Sequence, residues 1–166
     1  MGSATAMGLA FLVLVLDIAS KEWILALFPL HEAKAVSSFF NIGHWLNPGA
    51  AFSFLSNAGG WQRYFFSAIA FIAVGWLSYS LWFNRNLTGP IRAAYALIAG
   101  GAAGNLYDRL ARGAVVDWLD FHWEGWHWPA FNLADCAIVL GLILYIISQR
   151  KEGPTSAPAK TDHANF

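Results

Sequence analysis

Four long apolar runs divide this chain of 166 residues and limit its fold more than any other feature. Each run is long enough, or nearly so, to cross the hydrocarbon core of a bilayer, which needs about 20 helical residues. Polar breaks, some with glycine or proline, separate the runs. They predict an all-α membrane protein with four transmembrane helices, at residues 7–28, 61–83, 90–108 and 130–148.

The composition supports this class of protein. The chain is 57% hydrophobic and 12% charged, whereas a soluble domain is about 25% charged. Its formal net charge is zero, so no nucleic-acid partner is predicted. The single cysteine excludes an internal disulfide. We expect one domain over residues 1–150, followed by a disordered cytoplasmic tail at residues 151–166.

The distribution of basic residues indicates the orientation. An even number of helices places both ends of the chain on one side of the membrane. Lysine and arginine accumulate on the cytoplasmic side. Five of these residues lie at or near the termini or the break after the second helix, against four in or near the other two breaks. This count favours cytoplasmic termini.

The two outer breaks differ in character. Residues 36–55 contain β-forming residues on both sides of an Asn-Pro-Gly-Ala turn, which predicts a small sheet within an outer segment at residues 29–60. The other break, residues 109–129, is rich in tryptophan. Because indole is amphipathic, we expect this segment to form an outer loop or short helix in the membrane interface.

Polar residues recur at helical spacing within the apolar runs. Each pair shares a helix face, because residues three or four apart are neighbours on a helix. If these faces converge, they form one polar cleft at the outer ends of the first, third and fourth helices. The pairs are Asp17 and Lys21, Asn105 and Arg109, and Asn132 and Asp135.

Structural explanations of the same residues remain open. Asp17 and Lys21 can form an ion pair whose only effect is to lower the cost of membrane insertion. Asn132 stands where the fourth helix begins, so it can act as a plain N-cap. Asp108 is expected to pair with a neighbouring arginine, Arg109 or Arg112.

Two aspartates in apolar surroundings, Asp117 and Asp135, are the strongest candidates for chemistry. A carboxylate at a bilayer centre costs about 2.5 to 3.5 kcal/mol, so such acids need a partner, a water-filled cleft or a function. Two close carboxyls share a proton and supply a general base and a general acid at the same pH. This aspartate dyad can hydrolyse an amide without a metal or a covalent nucleophile.

Other polar residues nearby are weaker candidates. Asp120 and Glu124 fit a solvated loop. His122, Glu124 and His127 match no strong zinc signature, so no metal site and no cofactor are predicted. Cys136 points about 100° away from its neighbour in the dyad, and it is expected to be a packing residue rather than a nucleophile.

Five motifs, in order, give the sequence a family resemblance. It resembles the bacterial lipoprotein signal peptidases, the signal peptidase II family of membrane aspartic proteases, over residues 17–150. The resemblance implies four transmembrane helices, a small periplasmic β-sheet and a short interfacial periplasmic helix. The motifs are DIASK at residues 17–21, NPGAAFS at 47–53, GGAAGNLYDR at 100–109, VVDW at 115–118 and FNLAD at 131–135.

The resemblance also implies roles for individual residues. It assigns catalysis to Asp117 and Asp135, and it favours Asp117 over Asp120 because the family's catalytic position follows the paired valines. Further motif positions support the dyad or contact substrate, although Lys21, like Asp108, is expected to act mainly through structure. The predicted substrate-binding residues are Asp17, Lys21, Asn47, Gly49, Asn105, Arg109 and Asn132.

Family substrates are prolipoproteins whose cysteine already carries a diacylglyceryl group, and the cut falls just before that cysteine. The resemblance therefore implies a prolipoprotein substrate, contact with membrane lipid and a monomer in the bacterial inner membrane. The active site is expected near the periplasmic face.

Two other functions compete with this one. The intramembrane charges are compatible with a small proton-coupled transporter, and Gly100 and Gly104 are compatible with a non-catalytic assembly subunit. A proton path needs polar residues through the whole membrane depth, whereas residues 138–147 are apolar. An assembly subunit gives no reason for acids at both Asp117 and Asp135. The protease is therefore preferred.

Overall fold

The computed structural model describes residues 1–49 and 60–152, with side chains to residue 150. Each of the four apolar runs coincides with a helix, and a small antiparallel sheet joins them. In chain order the elements are α1 (Ser3–Leu27), β1 (Ala33–Ser37), β2 (Phe40–Asn47), α2 (Trp61–Phe83), α3 (Gly89–Ala111), β3 (Val115–Trp123), β4 (Trp126–His127) and α4 (Leu133–Glu152).

The helices bury polar side chains and expose apolar ones. Asp17 and Lys21 of α1 are fully buried, whereas Phe11 on the same helix is 66% exposed. The same contrast holds on α2, where Ser80 is buried and Phe71 is 70% exposed. In water, the exposure of so many large apolar side chains would be unfavourable. These side chains therefore indicate a lipid environment.

Three helices are long and apolar enough to cross a membrane, within the described parts of the chain. These are α1, α2 and residues Leu133–Arg150 of α4. Helix α3 falls outside this group, and its buried face consists mainly of small and polar residues. The class of mainly helical membrane protein with a small sheet is thus confirmed, and a membrane crossing by α3 stays a prediction.

Glycines let α3 pack closely against its neighbours. A Cβ added at Gly100 would meet the carbonyl oxygen of Ala10 in α1 at 2.5 Å. A Cβ at Gly101 would collide with the carbonyl oxygen of Ala134 in α4. Since α3 also packs on α2, it is the central helix of the four. Its glycines allow the backbones of α1 and α4 to pack closely against it.

Arg92 ties the helices together at the end opposite the sheet. It is 7% exposed, and its guanidinium donates to four oxygens without a carboxylate partner in the described residues. The acceptors are Ser3 Oγ, Leu81 O, Asn84 O and Leu87 O, at 2.8 to 3.1 Å. Three of these are carbonyls of the α2 end and the following turn, which a helix leaves without partners.

The sheet has the strand order β1-β2-β3-β4, with every neighbouring pair antiparallel. Strands β1 and β2 confirm the small sheet predicted within residues 29–60, and the outer location of this segment stays a prediction. Their turn lies at residues 38–39, whereas the predicted turn begins at Asn47, where β2 ends. The part of that prediction at residues 50–59 lies outside the described residues.

The tryptophan-rich segment corrects a prediction. Within residues 109–129, expected to hold an outer loop or short helix, the chain forms β3 and β4 instead. Val115 and Val116 are β-formers that pair with β2. Glu124 and Gly125 both have positive φ, 47° and 83°, which suits a two-residue hairpin turn. The tryptophan-rich composition of residues 109–129 indicates a membrane interface but leaves open whether the backbone is helix or strand.

Helix α4 extends further than predicted. It continues to Glu152, so the first two residues of the expected cytoplasmic tail are helical. The rest of that predicted tail, residues 153–166, lies outside the described residues.

Candidate active site

Lys21 is the centre of a buried network between α1 and α3. Its ammonium contacts Asp17 Oδ2 at 2.7 Å, Asp108 Oδ2 at 2.9 Å and Asn105 Oδ1 at 3.0 Å. Lys21 and both aspartates are fully buried. Three donors therefore meet three acceptors, which is the condition under which a buried charge is tolerated.

Asn132 connects the two aspartates of the dyad. It caps α4, because its Oδ1 accepts the Asp135 N–H at 3.0 Å while Asp135 Oδ2 accepts the Asn132 N–H at 3.3 Å. This reciprocal pair resembles a capping box. The Asn132 amide nitrogen also donates to Asp117 Oδ1 at 2.7 Å. Asn132 is therefore the N-cap of α4 and also contacts Asp117, and its role in an active site stays a prediction.

The remaining contacts of the dyad come from β2 and α3. Asn47 Nδ2 donates to Asp117 Oδ2 at 3.0 Å, and Asn105 Nδ2 donates to Asp135 Oδ1 at 2.8 Å. Both oxygens of Asp117 thus accept from side-chain amides. Asp135 accepts from a side-chain amide on one oxygen and from a backbone N–H on the other. These contacts fix the two acids at the junction of the sheet with α3 and α4.

Arg109 of α3 contacts this junction through Gly49. It is 8% exposed, donates to Gly49 O at 2.9 Å and stands 5.7 Å from the centre of the Phe66 ring. The Gly49 N–H in turn donates to Asn47 Oδ1 at 3.0 Å. Buried Arg109 Nε has no partner in the described part of the chain. The guanidinium therefore keeps one donor for another acceptor.

Burial and a neighbouring charge change the acidity of Asp117. It is 2% exposed, and this burial, followed by the charge of Asp135, raises its pKa from 3.8 to about 7. Hydrogen bonds from Asn47 and Asn132 and the charge of Lys21 act in the opposite direction. At neutral pH, Asp117 is poised between the acid and the carboxylate, as acid–base catalysis requires.

This pKa predicts a pH dependence of stability. Because the folded pKa is raised, the folded protein holds a proton between pH 3.8 and about 7 that the unfolded chain releases. We therefore expect stability to fall as pH rises through this window, by up to about 1.4 kcal/mol per pH unit. Thermal unfolding of wild type and Asp117→Asn across the window tests this. Parallel curves for the two proteins would contradict it.

The structure brings every predicted site residue into one cluster. The predicted Asp17–Lys21 ion pair is present. It is not isolated on α1, as an ion pair that only lowers the cost of membrane insertion would be, because Lys21 also contacts Asn105 of this cluster. Asp108 pairs with Arg112, one of its two expected partners. The residues that meet where α1, α3 and α4 adjoin the sheet are Asp17, Lys21, Asn47, Gly49, Asn105, Arg109, Asp117, Asn132 and Asp135.

The competing residues lie apart from this cluster. Asp120 is 4% exposed, so the solvated loop predicted for it was wrong; it accepts from Asn41 Nδ2 at 2.7 Å and contacts His127 Nδ1 at 2.8 Å. Glu124 is exposed in the turn between β3 and β4, as predicted. His127 and His122 stack with ring centres 5.0 Å apart. Within residues 1–49 and 60–152, no group of three or more potential ligands could hold a metal ion. Cys136 is exposed, so its predicted packing role was also wrong.

Two features of the site were not foreseen. Asp108 Oδ2 accepts the Val116 N–H at 3.0 Å, and Asp17 Oδ1 accepts the Ala134 N–H at 2.9 Å. Each of these carboxylates therefore holds the residue just before one aspartate of the dyad. The i, i+3 spacing of Asn105 and Asp108 could have indicated that Asp108 faces the same cleft.

Known proteins share this architecture. Residues 9–150 match the family profile described as "Signal peptidase (SPase) II". A lipoprotein signal peptidase of Yersinia pseudotuberculosis serotype O:1b (strain IP 31758) is 50% identical over 138 residues, which cover 83% of this chain and 82% of that protein.

Two solved structures are also similar. Each is titled a bacterial membrane enzyme structure by the in meso method. The one at 2.3 Å resolution has a TM-score of 0.80 and 29% identity, with 93% of each chain covered. The one at 1.9 Å resolution has a TM-score of 0.75 and 31% identity, covering 90% of this chain and 94% of the other.

Proposed function

Because this chain belongs to the signal peptidase II family, we propose that it removes signal peptides from diacylglyceryl-modified prolipoproteins by cutting just before the lipidated cysteine. The family makes it a protease of the aspartic type. Asp117 and Asp135 are proposed as the catalytic pair. The single observation that carries this assignment is that one residue, Asn132, hydrogen-bonds both acids.

The charges around the dyad support a shared proton. Four carboxyl groups, those of the dyad and of Asp17 and Asp108, face two buried cations, Lys21 and Arg109. This excess of carboxyl groups over cations favours the retention of a proton within the cluster. Two neighbouring carboxyls that share one proton contain a general base and a general acid together, and burial of Asp117 favours retention of that proton.

The proposed reaction uses both forms of the pair. The ionised carboxyl removes a proton from water, and the oxygen of that water attacks the carbonyl carbon before the cysteine. The protonated carboxyl gives its proton to the carbonyl oxygen. In the collapse of the tetrahedral intermediate, the ionised carboxyl takes the proton of one intermediate hydroxyl, the C–N bond breaks, and the leaving nitrogen takes the proton of the other carboxyl, so the pair again holds one proton. Arg109 Nε is the proposed donor to a substrate carbonyl.

We propose that all four helices cross the bacterial inner membrane, with both termini in the cytoplasm and the sheet at the periplasmic face. Exposed indoles on the sheet support this orientation, since Trp123 is 68% exposed and Trp126 is 61% exposed. The dyad lies at the same end of the helices. The acyl chains of the diacylglyceryl group can then remain in lipid while the peptide reaches the dyad sideways. We propose that a monomer is sufficient for this reaction.

The transporter alternative receives less support from the structure. The polar cluster is confined to the sheet end of the helices, and side chains on α4 beyond it are apolar and outward, for example Val139 at 54% and Leu140 at 56% exposure. A proton path needs titratable groups along the membrane depth. An assembly subunit would not require paired carboxyls in a buried cluster.

Cleavage of a defined substrate tests the proposed function. The purified protein in lipid nanodiscs is mixed with a prolipoprotein carrying a diacylglyceryl-cysteine, and mass spectrometry locates the cut. We expect cleavage before the modified cysteine and much slower cleavage of the matched unmodified prolipoprotein. Equal rates for both substrates, or a cut elsewhere, would contradict the proposed specificity.

Metal removal provides a separate prediction. Because the proposed mechanism activates water with carboxyl groups alone, EDTA or 1,10-phenanthroline should leave the cleavage rate unchanged. The control is a zinc metalloprotease in the same nanodisc buffer, which the chelators should inhibit. Loss of activity that zinc restores would instead implicate the stacked pair of His122 and His127.

A further inference from the structure

Lys21 makes no hydrogen bond with Asp117 or Asp135 within the described residues, yet its contacts reach both of them indirectly. Its ammonium lies between two carboxylates, Asp17 and Asp108. Asp17 holds the N–H just before Asp135, and Asp108 holds the N–H just before Asp117. One cation thus links the backbone segments that carry the two acids.

The third contact of Lys21 fixes a side chain. An ammonium group donates and never accepts hydrogen bonds, so the Asn105 atom that faces it must be the amide oxygen. Asn132 Nδ2, 3.2 Å away, is a second donor to the same oxygen. The Asn105 amide nitrogen therefore faces α4, where it donates to Asp135. A flipped amide would instead point its oxygen at that carboxyl.

We propose that Lys21 is a positioning residue for the dyad, which sets the backbone before both aspartates through Asp17 and Asp108 and the orientation of the Asp135 carboxyl through Asn105. This inference rests on the proposed function. The sequence predicts that Lys21 either contacts substrate or is mainly structural. Its three donors, however, already have acceptors inside the protein. It therefore acts through other residues.

Lys21→Met tests the inference, because methionine has a similar length but no charge and no donor. We expect kcat on the diacylglyceryl-modified substrate to fall about 100-fold, the scale of a misplaced catalytic group, with little change in KM. The pH profile should also move. Asp117 faces the charges of Asp135, Arg109 and Lys21, so loss of the cation should shift the alkaline limb to higher pH.

Arg112→Gln is the matched control. Arg112 is a second cation on Asp108, but it contacts the other oxygen and has no contact with Asp17 or Asn105 in the described residues. Asp108 keeps Lys21 and the Val116 N–H in this variant. We expect an unchanged pH profile and nearly unchanged kcat. A shift as large as that of Lys21→Met would mean that any lost charge has this effect.

Folding is measured separately, because Lys21→Met leaves two buried carboxylates without their shared cation. The double variant Lys21→Met/Asp17→Asn removes one charge of each sign and is compared with Asp17→Asn alone. We expect the lower kcat and the shifted limb in the double variant as well. An unmoved pH profile in the folded protein, with only a smaller active fraction, would overturn the inference and leave Lys21 a structural residue.

The outcome is distinguishable from failure of the proposed function. If wild type does not cut the lipidated substrate, the proposed function fails. If wild type cuts and Asp117→Asn does not, while the folded Lys21 variants keep the wild-type kcat and pH profile, then only the positioning role is lost.

Discussion

Asp117→Asn and Asp135→Asn should each lower the cleavage rate by about 10²- to 10⁴-fold, the usual range for a lost general acid or base. Asparagine has the shape of aspartate but neither takes up nor releases a proton at neutral pH. With either substitution the pair no longer contains one base and one acid. The rate is measured under single-turnover conditions on the diacylglyceryl-modified prolipoprotein in nanodiscs.

Asp120→Asn is the matched control for these variants. Asp120 lies three residues after Asp117 on β3 and is almost equally buried, at 4% against 2% exposure. Its partners are Asn41 and His127 rather than the other acid of the dyad. We expect near wild-type cleavage. Loss of activity in this variant together with retained activity in Asp117→Asn would move the catalytic role to Asp120.

Gly104→Ala should reduce both stability and activity. An added Cβ would collide with Asp17 Oδ2 and lie 3.0 Å from its Cγ. That carboxylate cannot simply turn away, because Lys21 and the Ala134 N–H hold its two oxygens. Breaking a buried ion pair of this kind costs about 3 to 5 kcal/mol. Thermal unfolding in detergent micelles, followed by tryptophan fluorescence, measures the loss.

Gly75→Ala is the control for this substitution. Gly75 lies within α2, and a Cβ there meets no heavy atom of another element within 4 Å. Alanine favours a helix over glycine by up to about 1 kcal/mol, so this variant should be as stable as wild type or slightly more so. Equal unfolding temperatures for the two variants would show that Asp17 can move at little cost.

Much of the helical architecture could be predicted because a bilayer restricts what crosses it to long helices and closed barrels. The strands at residues 115–127 could not, since indole suits the interface in either backbone conformation. The deciding interaction is the pairing of β3 with β2, for instance Val115 with Asn47, far away in sequence. The local signal was the Glu124-Gly125 turn between two tryptophans.

The residues of the candidate site could be predicted, but not all of the contacts between them. Helical spacing indicated which residues share a face, and the family motifs distinguished Asp117 from Asp120. Contacts between helices depend on their relative rotation, which spacing does not report. The Lys21–Asp108 ion pair is such a case, because it requires the close approach of α1 and α3. Gly104 permits this approach, since any side chain there would displace Asp17.

The central position of α3 has a consequence for biogenesis. Eleven of its residues are buried, among them Arg92, Asp108 and Arg109, and the acceptors and counter-charges of these groups belong mainly to other elements. In the four-span arrangement proposed above, α3 is therefore poorly suited to leave the translocon for lipid alone. It should partition into the bilayer together with α1 and α2, and its insertion should be completed when α4 emerges from the ribosome.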